Sequence, residues 1–238
     1  MRFALHAEWT KLRTSPGTPA LLLAVVAGTV GVSAAASACS APFCGPDLPQ
    51  LSLTGVQLGQ AIVAILAVLV MGDEYRSGMV TVTLAAVPRR GRVLAAKAVV
   101  VAAVVAVTAA VAVAGSLLVG SLLLPAHHLV LRPAVGSVLY LVLVGLLSLG
   151  IATAVPNPAA AIGVVLALLY AVPIVIGVVT DPAWQKHLQQ IGPASAGLAV
   201  QATTGHPVIG PWQGLGVLAL WAAGMLLAGG AVLARRDA

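Results

Sequence analysis

Few side chains in this sequence have the types and spacing that a reactive site requires. Cys39 and Cys44 are separated by four residues in the segment CSAPFC, which is compatible with either a small-loop disulfide or two free thiols. His127 and His128 raise the alternative of a Cys2His2 metal site, but two adjacent histidines are poorly spaced to ligate from one face. The apolar stretches contain no Ser/His pair, H-E-x-x-H motif or paired carboxylates. We therefore expect a protein that is not itself an enzyme.

The sequence also lacks a device for holding nucleotide phosphates. The motif G-x-x-x-x-G-K is absent, and none of the lysines, Lys11, Lys97 and Lys186, follows a glycine. Acids and histidines, which mark proton relays inside membranes, are missing from the middles of the apolar stretches. We expect no cofactor in this chain, and we expect any ATP to be bound by a partner subunit.

The composition is that of an integral membrane protein. Of 238 residues, 60% are apolar and 8% charged, and the mean hydropathy is +1.07. A helix needs about 20 apolar residues to cross a hydrocarbon core of about 30 Å. Six stretches approach or exceed that length: 20–38, 53–71, 98–124, 134–155, 159–180 and 215–234. The third exceeds one crossing, which tilt or extension beyond the bilayer explains better than two spans. The predicted fold is all-α, one polytopic domain over 1–238 with six transmembrane helices.

The distribution of basic residues predicts the orientation of these spans. If the N-terminus is cytoplasmic, ten of the twelve lysines and arginines lie inside, and Arg132 and Lys186 lie outside. The positive-inside bias therefore places both termini in the cytoplasm. The net charge of +6 indicates anionic lipid headgroups and not nucleic acid, because no basic patch interleaved with aromatics lies away from the membrane edges. A signal peptide cleaved after residues 36–38 is an alternative that the five later stretches disfavour.

The first segment, 1–15, has the pattern of an interfacial helix. Leu5, Trp9 and Leu12 recur on one helical face, and most charged side chains fall elsewhere on the wheel. The alternative is a basic flank that only sets the topology.

The segment 72–97, GDEYRSGMVTVTLAAVPRRGRVLAAK, predicts a short helix presented to the cytosol. Its apolar face must rest on the bundle or on a partner protein, because it cannot stay buried in water. Asp73 and Glu74 are near enough to pair with Arg76 or the arginine cluster, and Lys97 is expected to snorkel towards the interface. The alternative is a solvated loop with ordinary topology charges. The residues that define the predicted helix are Val80, Leu84, Val87, the helix breaker Pro88 and the cluster Arg89, Arg90 and Arg92.

The segment 181–211 is predicted to lie outside as two short helices at, or dipping into, the outer leaflet. Trp184, Leu188 and Ile191 form a helical stripe, a turn follows at 192–193, and a weakly apolar piece follows at 194–203. A plain interfacial loop is the alternative.

Two span features remain open in the sequence. Gln57 and Gln60 share a helical face, and they either line a path for cargo or form an interhelical hydrogen bond, which we favour. Pro173, with Gly177 one turn on, predicts either a kink or hinge in the fifth span or a satisfied bend without a moving role.

Four pieces of the sequence, in their order, resemble the permease subunits of type-2 ATP-binding-cassette (ABC) exporters, especially actinobacterial ones. They are AEWTKLRT, DEYRSGMVTVTLAAVPRRGRVLAAK, IGPASAGLAVQAT and GPWQGLGVLALWAAGMLLAGGAVLARRDA. The resemblance implies a half-transporter that dimerises in the cell membrane with a second permease copy and works with a cytoplasmic ABC ATPase. It implies that 1–14 is a connecting helix, that 81–92, starting at Thr81, is a coupling helix, and that Glu74 and Arg76 link the latter to the bundle. The connection 156–158 departs from the family pattern because it carries no basic residue.

Two other classes of function stay open at this point. One is a membrane anchor or scaffold that recruits a cytoplasmic partner without transporting anything. The other, less favoured, is a membrane-embedded metal-handling protein.

Overall fold

The computed structural model describes residues 2–15, 17–38, 47–79, 90–123, 131–204 and 208–235. Within these ranges the regular elements are helices, and six of them are long and apolar enough to cross a membrane. The predicted all-α class and the six spans are therefore confirmed. Several predicted site residues lie outside the described residues: Cys39, Cys44, Thr81, Leu84, Val87, Pro88 and Arg89.

The described helices follow one another along the chain. We number them α1 (Arg2–Thr14), α2 (Gly17–Ser37), α3 (Leu48–Ser52), α4 (Val56–Arg76), α5 (Arg90–Leu123), α6 (Leu131–Ala154), α7 (Pro158–Val178), α8 (Pro182–Ile191), α9 (Pro193–Leu198) and α10 (Pro211–Arg235). The spans are α2, α3 with α4, α5, α6, α7 and α10. A 3-10 turn, Ala199–Gln201, follows α9.

The third span is one unbroken helix, as the sequence predicts. With 34 residues, α5 is roughly 50 Å long, well beyond the about 30 Å of a hydrocarbon core. It begins at Arg90, before the predicted start at residue 98, and α4 continues to Arg76, past the predicted end at residue 71. Hydropathy marks the part of a helix that suits lipid, whereas backbone hydrogen bonding continues into the charged flanks.

The core lies around α6, which is buried along most of its length between α4, α5 and α10. Glycines let α6 and α10 approach closely: a Cβ added at Gly150 would lie 2.6 Å from the carbonyl carbon of Met225, and one at Gly229 would lie 2.6 Å from the carbonyl oxygen of Gly150. Small residues at such contacts matter in lipid, where the hydrophobic effect does not drive helices together. At one end of the bundle, the hydroxyl of Tyr75 donates to the carbonyl of Thr153 at 2.9 Å and joins α4 to α6.

The fifth span contains a π-helical irregularity beside Pro173. Residues Ala167–Ala171 form a π-helical turn just before Pro173. Proline has no N–H to donate to the carbonyl one turn earlier, and its ring crowds that carbonyl. A wider turn relieves both problems, which is a common origin of such bulges.

The two short helices predicted between the last two spans are present, but they differ in burial. The side chains of Trp184, Leu188 and Ile191 lie exposed along α8, which ends at Ile191 as predicted. By contrast, α9 and the turn after it enter the bundle, with Ala194 and Val200 fully buried. The stripe on α8 is therefore the part of this segment that is free to contact lipid.

Candidate functional site

Four charged side chains meet where α1 crosses the ends of α4 and α5. Lys11 Nζ lies 3.0 Å from Glu8 Oε1 and 2.7 Å from Glu74 Oε1. Lys97 Nζ lies 2.6 Å from Glu8 Oε2 and 3.0 Å from Glu74 Oε1. Each lysine therefore binds both carboxylates, and the two positive and two negative charges balance. We call Glu8, Lys11, Glu74 and Lys97 the charge cluster.

Three of the four side chains of the charge cluster are buried. The side chains of Lys97, Glu8 and Glu74 are 2%, 4% and 9% exposed, whereas that of Lys11 is 31% exposed. Buried charges of this kind are tolerated only when paired, and removing one partner leaves an uncompensated charge. The cluster consequently acts as a joint that holds α1, α4 and α5 together.

The ionisation of Lys11 is fixed by its partners. Burial alone lowers the pKa of a lysine, but the hydrogen bond and charge of Glu74, followed by those of Glu8, outweigh burial and raise the pKa of Lys11 above its ordinary value. A raised pKa keeps the ammonium charged through physiological pH, so the contribution of Lys11 to stability is lost only as pH rises through that pKa. A small pocket opens beside the cluster, between α1, α2 and α4.

Two members of the charge cluster lie on the helices that precede and follow, in the sequence, the segment 80–89. Glu74 is two residues before the end of α4 at Arg76, and Lys97 lies two turns into α5, so the segment 80–89 lies between them in the sequence. Of the predicted coupling residues that are described, Glu74 is buried, whereas Arg76 and Arg92 are exposed. The backbone of Arg90 starts α5.

Two sequence expectations about these charges need correction. Among the described ion pairs, Glu74 is bound by Lys11 and Lys97 and not by the neighbouring Arg76. The ammonium of Lys97 does not snorkel to solvent, because α1 covers it and Glu8 binds it. The sequence held a signal for this arrangement: Glu8 lies on the same helical face as Leu5 and Leu12, and an acid on an apolar face requires a buried partner.

The side of α1 that packs on the bundle also differs from the predicted apolar face. Leu12 is buried against the bundle, Leu5 is partly buried, and Trp9 is half exposed. The side of α1 that faces the bundle is therefore centred on Glu8 and Leu12, and Trp9 lies at its edge.

The two predicted span glutamines occupy different environments. Gln60 is buried, and the hydroxyl of Tyr140 donates to its Oε1, which is the interhelical hydrogen bond favoured from the sequence. Gln57 is exposed on the surface of α4. Its backbone carbonyl accepts a hydrogen bond from the hydroxyl of Tyr170, in the π-helical turn of α7. A polar strip therefore runs from the interior to the surface between α4 and α7.

Residues 4–181 match the family model described as ABC-2 family transporter protein. The match covers well over half of the chain and includes all four members of the charge cluster. This chain belongs to the ABC-2 transporter family. It is a permease of an ABC transporter and a multi-pass membrane protein, as the resemblance in the sequence implied. Comparison of the permease with curated proteins gives no match.

At the opposite end of the permease, Asp47 forms a second group of polar contacts. The carboxylate of Asp47 accepts hydrogen bonds from the N–H of Thr203 at 2.6 Å, from its hydroxyl at 2.5 Å and from the N–H of Thr204 at 2.9 Å. Burial alone raises the pKa of a carboxyl, but these hydrogen bonds outweigh it and lower the pKa of Asp47 below its ordinary value. The turn after α9 is further tied to α6 by Arg132, which donates to the carbonyl of Ala202 at 2.5 Å.

Potential metal ligands are dispersed in the part of the permease that the structure describes. Within the described ranges, no three His, Cys, Asp or Glu side chains come together as metal ligands would. The charge cluster itself is occupied, because each of its carboxylates already binds two ammonium groups.

Proposed function

We propose that this permease is the membrane subunit of an ABC exporter in the cell membrane and that it is driven by a separate cytoplasmic ATPase. The end of the bundle that carries the charge cluster faces the cytoplasm, and both termini lie on that side. The residues 81–92 dock on the ATPase, and nucleotide-driven motion of the ATPase opens and closes a path for cargo. Family membership and the position of the charge cluster support this proposal.

The observation that carries the proposal is that the helix ends flanking 80–89 are tied to α1 through buried ion pairs. Glu74 on α4 and Lys97 on α5 share partners on α1 and also bind each other at 3.0 Å. A displacement of the segment between these helices therefore moves α1, α4 and α5 as one unit, because separating them would leave buried charges unpaired. Motion that the ATPase imposes on the ends of α4 and α5 thereby reaches α1 as well.

The polar strip between α4 and α7 supports a dimer with a path at its seam. Gln57 is exposed within a span, and an amide facing lipid would lose hydrogen bonds to water without replacement. A second permease copy, or water in a path between two copies, would remove that cost. We therefore assign the surface around Gln57 to the seam of the dimer.

Reversing the charge of the arginine cluster is expected to release the ATPase. In the variant Arg89→Glu/Arg90→Glu/Arg92→Glu, acidic side chains replace the basic ones at the proposed contact, and like-charge contacts at an interface cost several kcal/mol. Co-purification of an ABC ATPase that is retained by the unaltered permease should fall by about tenfold or more. Insertion into the membrane should be unchanged.

The matched control compares two pairs of arginines on the proposed cytoplasmic side of the membrane. Arg235→Glu/Arg236→Glu changes the charge as much as Arg89→Glu/Arg90→Glu but alters the C-terminal tail. Only the variant Arg89→Glu/Arg90→Glu should lose the ATPase. Equal retention in both variants would exclude docking through 81–92, and an ATPase that binds but gains no activity from the reconstituted permease would indicate a scaffold.

The proposed orientation is tested by cysteine labelling. In a Cys39→Ser/Cys44→Ser background, Gly91→Cys and Lys186→Cys place single thiols at exposed positions at opposite ends of the bundle, and a Cβ at position 91 meets nothing within 4 Å. A membrane-impermeant maleimide added to intact cells should label position 186 and spare position 91 until the cells are opened. The reverse labelling pattern would place 81–92 outside and exclude coupling to a cytoplasmic ATPase.

A further inference from the structure

An apolar groove lies next to the pocket at the charge cluster. It is formed where α1, α2 and α5 meet, and its volume is about 220 Å³. Leu12 and Thr18 line both the groove and the pocket. The other described residues that line the groove are Trp9, Arg13, Pro19, Leu22 and Val104.

The groove extends from polar residues to apolar ones in the direction of the membrane interior. Arg13 and Thr18 lie at the connection between α1 and α2, whereas Leu22 and Val104 lie inside spans. Val104 is seven residues beyond Lys97, about 10 Å further along α5. An interfacial helix sits at the boundary between headgroups and acyl chains, so a groove beneath it covers both regions. Trp9 borders it, and tryptophan favours the headgroup level.

The charge at the polar end of the groove is positive. Arg13 carries the only charge among the described lining residues. Glu8, the only acid of α1, is bound by Lys11 and Lys97 in the charge cluster, so it does not neutralise Arg13. A guanidinium pairs with phosphate through two parallel hydrogen bonds, and the hydroxyl of Thr18 adds a further donor. The groove thus combines a phosphate-binding end with an apolar channel.

We propose that this groove is a binding site for an anionic phospholipid of the bilayer. The headgroup phosphate binds Arg13 and Thr18, and one acyl chain runs along Leu22 and Val104. The lipid thereby fills the space between α1 and the spans α2 and α5 and holds α1 against the bundle. This site does not depend on an ATPase partner.

Bromine quenching of Trp9 fluorescence tests the site. The permease is reconstituted without ATPase in phosphatidylcholine vesicles that contain either phosphatidylglycerol or phosphatidylcholine with brominated acyl chains. The Trp9 signal is the difference between the permease and its Trp9→Phe variant, which removes a half-exposed side chain. One basic contact at a membrane surface corresponds to about a fivefold preference, so half-maximal quenching should occur at about a fivefold lower mole fraction of the anionic lipid.

Two variants test the polar end and the apolar end of the groove separately. Arg13→Gln should raise the mole fraction of phosphatidylglycerol needed for half-maximal quenching to that of phosphatidylcholine, whereas the control Arg235→Gln, at an exposed basic residue outside the groove, should not. Val104→Phe should fill the apolar end and reduce quenching by both lipids. Equal quenching by both lipids in the unaltered permease, or a preference that survives Arg13→Gln, would overturn the headgroup assignment. Absence of quenching by either lipid would show that water or a second copy occupies the groove.

Discussion

Replacing Lys97 with methionine is expected to destabilise the permease more than any other single change at the charge cluster. Lys97 is 2% exposed and binds both Glu8 and Glu74, so its removal leaves two buried carboxylates with one lysine. Breaking a buried ion pair in this way costs about 3 to 5 kcal/mol, which corresponds to a fall in melting temperature of about 10 °C for a chain of this size. Thermal unfolding in detergent, followed by helical circular dichroism, measures the fall.

A second substitution distinguishes loss of charge balance from loss of packing. In Glu8→Gln/Lys97→Met the remaining charges, Lys11 and Glu74, balance again, so the double variant should recover most of the lost stability. Lys186→Met, at an exposed lysine of α8, is the control and should leave the melting temperature unchanged. A double variant as unstable as the sum of the two single variants would show that Lys97 acts through its packing and not through its charge.

The number of spans could be predicted because it depends only on the average hydropathy of each stretch. Each crossing needs about 20 apolar residues, and the six stretches satisfy this whichever way their helices face. The ends of the helices could not be predicted in the same way. The segments 72–76 and 90–97, which contain charged residues, still belong to α4 and α5, because a helix that leaves the lipid keeps its backbone hydrogen bonds.

The charge cluster shows what the sequence leaves open. Glu8 and Lys97 are 89 residues apart, and only the crossing of α1 over α5 brings them to 2.6 Å. Spacing along the chain suggested Arg76 as the partner of Glu74, because neighbours in sequence are the only ones visible before the helices are packed. A charge on an apolar helical face signals that a partner exists, but its identity depends on which helices cross.

The same limit applies to the glutamines of α4. Their spacing places Gln57 and Gln60 on one side of the helix, yet Tyr140 buries and binds one while the other remains exposed. The boundary between the protein interior and the outer surface passes between two residues that are neighbours on the helix. That boundary is set by the positions of α6 and α7, which the sequence of α4 does not contain.

The contact between α2 and α4 is expected to be the part of the bundle least tolerant of an added methyl group. Gly55 and Gly59, spaced as in small-residue helix contacts, face Thr29 of α2. A Cβ at position 55 would overlap the carbonyl oxygen of Thr29 and lie 2.6 Å from Oγ of Ser33. The N–H of Gly55 also donates to that Oγ at 3.1 Å, so parting the helices would break a buried hydrogen bond.

Gly55→Ala should therefore destabilise the permease by about 3 kcal/mol, because the overlapping atom belongs to the backbone and cannot rotate away. Gly31→Ala is the matched control. Gly31 lies on α2 between Thr29 and Ser33 but faces outwards, where a Cβ meets nothing within 4 Å. Alanine there should leave stability unchanged or raise it by up to about 1 kcal/mol through its better helix propensity. A large loss of stability for Gly55→Ala beside no loss for Gly31→Ala would show that close approach of the backbones holds α2 to α4, and equal small effects would refute it.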